Sequence, residues 1–186
     1  MFIQTEQTPN PATLKFLPGR EVMATGVADF TDPARTEASP LARRVFGIEG
    51  VTGVFFGSDF ITVTKAEDRD WYLLKPAVLG AIMEHYLSGE PVLEPEAEIA
   101  DPGAAGSGEE DELARQIREL IETRVRPAVA QDGGDIIFRG FDRGVVYLHM
   151  RGACSGCPSS QITLKNGIEN LLRYYVPEVV EVRPVA

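Results

Sequence analysis

Residues 94–110 restrict the possible architecture of this chain more than any other stretch. The run Glu94-Pro95-Glu96-Ala97-Glu98-Ile99-Ala100-Asp101-Pro102-Gly103-Ala104-Ala105-Gly106-Ser107-Gly108-Glu109-Glu110 holds one large apolar residue, two prolines and three glycines, with six acidic and no basic side chains. So little apolar surface cannot offset the entropy lost on ordering the backbone. The segment is expected to be a flexible acidic linker, with a span of roughly 20–25 Å as a coil. The 186-residue chain therefore reads as two small domains, 1–93 and 111–186, each with its own core.

Hydrophobic spacing fills in both parts. In 111–186, Leu113, Ile117, Leu120, Ile121, Arg124 and Val125 recur at helical spacing, with Asp111 and Glu112 at the end favoured by the helix dipole. Pro127 and then Asp132-Gly133-Gly134-Asp135 are expected to end that helix. Strands near 136–138 and 145–148 follow, joined through Phe141-Asp142-Arg143-Gly144 as a hairpin. A second helix carries Leu164, Ile168, Leu171, Leu172 and Tyr175, capped by Ser159 or Ser160 and stopped by Pro177, before a short strand near 179–182. The first part shows strands near 13–17 and 21–24, a short helix near 41–46, strands near 51–56 and 60–64, and a helix over about 71–87. The expected fold class is α+β: two small α/β-sandwich-type domains joined by the linker, the C-terminal one in helix-hairpin-helix-strand order.

Charge narrows the partners. The net formal charge of −10 divides into −4 for 1–93, −6 for 94–110 and zero for 111–186. Neither domain offers the basic footprint that phosphate backbones need, so no nucleic acid is expected. No apolar run approaches a membrane span, and Met1-Phe2-Ile3-Gln4-Thr5-Glu6 lacks the basic start and apolar centre of a signal peptide, so no membrane partner is expected.

The chain has two cysteines, both in Gly152-Ala153-Cys154-Ser155-Gly156-Cys157-Pro158 between a strand and a helix. Thiols three positions apart are poorly placed for a long-range crosslink, which leaves a ligand set or a redox couple. A bare Cys-x-x-Cys serves zinc sites, redox pairs and iron-sulfur sites alike. Gly152 and Gly156 let the loop fold round a bulky ligand, and Pro158 presets helix entry, whose amides favour thiolate. A closed site wants about four protein ligands. His85 and His149 are the only imidazoles, and both are expected to be structural. A closed site then needs two chains, most simply a homodimer with Cys154 and Cys157 from each subunit. Four thiolates on a cluster core of charge about 2+ leave about 2−, which Arg151 and Lys165 are placed to offset.

Asp132-Gly133-Gly134-Asp135, the cysteine loop through Ser159-Ser160, Thr163-Leu164-Lys165 and Gly167-Ile168-Glu169 resemble the NifU-like C-terminal domain of NFU-type iron-sulfur cluster scaffold and carrier proteins. Gln4-Thr5-Glu6-Gln7-Thr8-Pro9-Asn10-Pro11, Leu14-Lys15-Phe16, Ser39-Pro40-Leu41-Ala42 and 53–63 are similar to the NFU N-terminal domain. The resemblance implies that Cys154 and Cys157 are the metal ligands, and that a [4Fe-4S] cluster is shared between two subunits. It also implies that the cluster comes from an upstream assembly scaffold and passes to recipient apo-proteins, with no enzymatic activity. The first domain, which lacks metal ligands between its hairpin and helix, is assigned to client recognition. Because the matching residues begin almost at Met1, a bacterial cytoplasmic location is expected, or the mitochondrial matrix for a processed form.

Other readings of the residues stand beside this one. A thiol-disulfide oxidoreductase also places Cys-x-x-Cys at a helix start, although the expected order lacks a parallel βαβ unit. A zinc-stapled dimer acting as an interaction module is the third. Asp132-Gly133-Gly134-Asp135 is read as a turn and not a calcium loop, for want of further ligands. Phe55, Phe56 and Phe60 are read as core.

Overall fold

The computed structural model describes residues 1–95, 111–155 and 158–185, without the side chains of 158–160. Most of the expected linker, and Cys157 with Gly156, lie outside the described residues, as does any capping by the Ser159 or Ser160 side chain. The chain divides into two compact units, Met1–Ile99 and Ala100–Ala186.

The first unit is built on a five-stranded antiparallel sheet in the order β1-β2-β5-β4-β3, formed by β1 (Gln4–Gln7), β2 (Thr13–Leu17), β3 (Ala28–Phe30), β4 (Val51–Phe56) and β5 (Ile61–Lys65). Helices α1 (Pro40–Phe46) and α2 (Trp71–Ser88) share its core, where Leu41, Val45, Val78 and Ile82 join Phe16, Val54, Phe56, Ile61 and Val63. Each helix starts on a side-chain cap: Ser39 accepts from the Ala42 amide at 3.0 Å and Asp70 from the Tyr72 amide at 2.9 Å. Gly89, left-handed at φ 74°, follows α2. The strand expected near 21–24 does not form. Val22 and Met23 are buried and their amides reach one carbonyl, that of Ser58, at 2.8 and 3.2 Å. Burial there is met by an irregular segment and not by a ladder. Phe55, Phe56 and Phe60 are buried as expected.

The second unit opens on one continuous helical run: α3 (Glu112–Leu120), a π turn (Ile121–Val125) and α4 (Arg126–Gln131). The expected stop at Pro127 is corrected here. Proline lacks an amide and its ring crowds the carbonyl four residues back, which breaks a regular helix. The π turn widens the spiral just before it, with the Arg126 amide bonding the Ile121 carbonyl five residues back, and the helix continues to Gln131. The hairpin is longer than its apolar runs suggest, from β6 (Gly134–Asp142) to β7 (Val145–Gly152). Its turn is only Arg143-Gly144, with φ 50° and 80°, the backbone signature of a tight hairpin loop. Helix α5 (Pro158–Tyr175) returns the chain to β8 (Glu181–Val185), which lies parallel to β7. The sheet order is β6-β7-β8. A β7-α5-β8 unit with parallel strands is therefore present, against the expectation that no βαβ arrangement occurs. Ile117, Ile121, Val125, Ile136, Leu148, Ile168 and Leu172 form the core between helices and sheet.

Candidate metal centre

The cysteine loop leaves β7 at Gly152, whose φ of 64° turns the chain sharply out of the strand. The Ala153 amide then donates to the Gly133 carbonyl at 3.2 Å, and the Ser155 amide and hydroxyl both donate to the Gly152 carbonyl, at 3.1 and 2.8 Å. These bonds seat Cys154 on the first residues of β6. A Cβ added to Gly134 would stand 2.3 Å from Cys154 Sγ and 3.0 Å from its amide nitrogen, so nothing larger than glycine fits beneath the thiol.

Cys154 is buried, at 5% exposure. Burial pushes its thiol up to about 12, with the Asp132 and Asp135 carboxylates adding to the effect. At neutral pH these surroundings favour the protonated thiol. A low-pKa redox cysteine needs the opposite environment, which counts against the oxidoreductase reading despite the βαβ unit.

A buried ion network stands beside the loop. Asp135 lies directly across the hairpin from Arg151, and its Oδ2 accepts from Arg151 Nη2 at 2.8 Å, both side chains being 6% exposed. From the helical run, Arg126 grips the same carboxylate through Nε at 2.8 Å and Nη2 at 3.0 Å, while its Nη1 holds Glu122 at 2.9 and 3.1 Å. Burial acts to lower the Arg126 guanidinium, but the bonds to Asp135 and Glu122 outweigh it and raise the group above its ordinary value. The two cations expected to offset cluster charge are thus already engaged: Arg151 with Asp135, and Lys165 with Glu181 at 3.5 Å.

The two histidines lie apart, one in each unit. His149 Nδ1 lies 3.2 Å from the Val185 carbonyl, tying β7 to β8. His85 is fully buried in the first unit. Among the described residues no group of three or more His, Cys, Asp and Glu side chains is placed to hold a metal ion. Sequence reasoning took Asp135 only as part of a turn, and it missed Arg126 and the glycine shelf. Their one visible sign was the Asp132-Gly133-Gly134-Asp135 run.

Two family models match the two units. Residues 3–89 match "Scaffold protein Nfu/NifU N terminal" and residues 117–183 match "NifU-like domain". The chain belongs to the NFU family of iron-sulfur cluster scaffold proteins. Among its relatives, the human protein named "NFU1 iron-sulfur cluster scaffold homolog, mitochondrial" is 54% identical over all of this chain and 72% of its own length. "NifU-like protein 4, mitochondrial" of Arabidopsis thaliana is 52% identical over 96% of this chain and 64% of its own, so the NFU chain spans just under two thirds of that relative. The solution structure of a NifU-like protein from Saccharomyces cerevisiae overlays 52% of this chain and 87% of its own, at 28% identity and a TM-score of 0.47. The expected bacterial cytoplasmic location is overturned by these relatives, which carry mitochondrial names. The position of a first residue relative to a motif was no guide to compartment.

Proposed function

We propose that this NFU chain holds a [4Fe-4S] cluster between two copies of itself, through Cys154 and Cys157 of each, and passes it to recipient apo-proteins after receiving it from an upstream assembly scaffold. The observation that carries the reading is the seat of Cys154: a glycine shelf leaves room for sulfur and nothing else, in a chain with one further thiol. Half a coordination sphere per chain makes the second copy part of the site. Binding replaces each thiol proton by iron, so loading releases protons, and a buried thiol at about 12 keeps the empty loop uncharged until then. The role is that of a carrier without catalytic turnover, in which the first unit recognises recipients.

Anaerobic reconstitution with iron and sulfide tests this directly. Half a cluster's iron and sulfide per chain is expected, with a broad absorption near 400 nm and a mass of two chains. Colourless protein with stoichiometric zinc, or a full cluster within one chain, would overturn it. Deleting residues 1–93 should leave loading intact and slow delivery to some recipients; unchanged transfer to every recipient would remove the recognition role.

A further inference from the structure

The chain Glu122–Arg126–Asp135–Arg151 joins three segments of the unit that carries Cys154: the helical run where it leaves its π turn, the start of β6, and the end of β7. Such a network is a poor source of stability. Taking carboxylates and guanidinium groups out of water costs about as much as their mutual attraction returns, and apolar residues of the same volume do as well or better. Its effect is geometric. Asp135 is fastened by two bonds from one side and one from the other, and it immediately follows Gly133 and Gly134, which accept the Ala153 amide and carry the Cys154 sulfur. The π turn matters to this arrangement because Arg126 is the first residue after it.

We infer that Asp135, clamped by Arg126 and Arg151, is a positioning residue for Cys154: it holds the glycine shelf in register with the cysteine loop and thereby sets how long a bound cluster is retained. This rests on the function proposed above, and it is separable from a simple charge effect by sign. A carboxylate beside an anionic cluster repels it, so by electrostatics alone Asp135→Asn should retain the cluster longer. Positioning demands the reverse.

The test is cluster loss to a chelator from the full-length, anaerobically loaded protein at a temperature where each variant remains folded by its helical signal. Asp135→Asn and Arg126→Gln are both expected to lose cluster at least about tenfold faster than the unchanged chain, the usual scale for partners that orient metal ligands. Arg126→Lys should recover part of the loss. In the empty protein, hydrogen exchange at the Ala153 amide should quicken in both variants while that of Leu172, in the core of α5, stays as it was. Slower or unchanged loss in Asp135→Asn overturns the inference, as does equal quickening at Ala153 and Leu172, which marks general destabilisation. Should Asp135→Asn fail to fold, Arg126→Gln, which leaves the Arg151 bond, decides on the same readouts. Failure of the unchanged chain to bind any cluster removes the proposed function and this inference together; retention by the unchanged chain with no difference in the variants removes the inference alone.

Discussion

His85 in the first unit and Cys154 in the second are both buried, and burial favours the neutral form of each, by the same physics with opposite sign. His85, on α2 of the first unit, is fully buried with no hydrogen-bond partner on either ring nitrogen among the described residues. Burial lowers its pKa, Arg44 lowers it further, and Glu90 works against both. Cys154, in the second unit, is raised by burial and by two carboxylates. A buried imidazole stays neutral by refusing a proton and a buried thiol by keeping one. The difference lies in what surrounds them. His85 has an aromatic neighbour, Tyr86, whose ring meets it edge-on at 5.3 Å. Cys154 sits on a loop that bonds, glycines and ion pairs hold ready for an incoming ligand. Burial alone therefore does not mark a site; burial beside an organised loop does.

The largest effect is expected at the thiols. Cys154→Ala and Cys157→Ala should each remove essentially all bound iron after reconstitution while leaving the helical signal near that of the unchanged chain. Iron analysis and circular dichroism on the same sample check this, and full occupancy in either variant would refute the assignment.

Next in size is the shelf. Gly134→Ala places a methyl group 2.3 Å from Cys154 Sγ, and cluster occupancy should fall by about tenfold or more as the loop is displaced. The matching change in the first unit, Gly80→Ala on α2, meets nothing within 4 Å and should raise stability by about 0.5–1 kcal/mol through helix propensity. Paired cluster-occupancy and thermal-denaturation measurements would show whether the contrast holds.

A smaller effect concerns the reactivity of the empty site. In the Cys157→Ala variant, alkylation of Cys154 should still be climbing at pH 10, where an ordinary thiol with pKa about 8.5 has already levelled off, because the Cys154 thiol is pushed up to about 12. A plateau near pH 9, seen by mass spectrometry, would mean that the thiol is not held buried.

The smallest expected change is acid sensitivity of the first unit. With the folded pKa of His85 lowered, the unfolded chain binds the extra proton first. Stability is therefore complete above the unfolded value of about 6.5 and declines as pH falls below it, by at most about 1.4 kcal/mol per pH unit. Trp71, the one tryptophan, reports this unit by fluorescence. His85→Leu should flatten the pH dependence; an unchanged slope would place its origin elsewhere.

Local chemistry was legible wherever a residue acts on its sequence neighbours. Helical spacing located α2 and α5, and Cys154 and Cys157 stood out by type and spacing. Short or polar strands escaped: β1 is Gln-Thr-Glu-Gln, an edge strand without an apolar alternation, and β3 has three residues. Pro127 misled because a proline signals a break, whereas packing of Ile121 and Val125 into the core keeps the run helical through a π turn.

By itself, then, the order of residues determined two α+β units, a ligand-bearing loop at a strand-to-helix junction, and membership of a family whose motifs fill both units. Only the tertiary structure decided what that loop rests on. Asp135 meets Arg151 across a hairpin register and Arg126 across a helix turn, and Gly134 meets Cys154 through space. Periodicity and propensity describe neighbours along the chain, while these contacts depend on how separate elements pack, which no local pattern encodes.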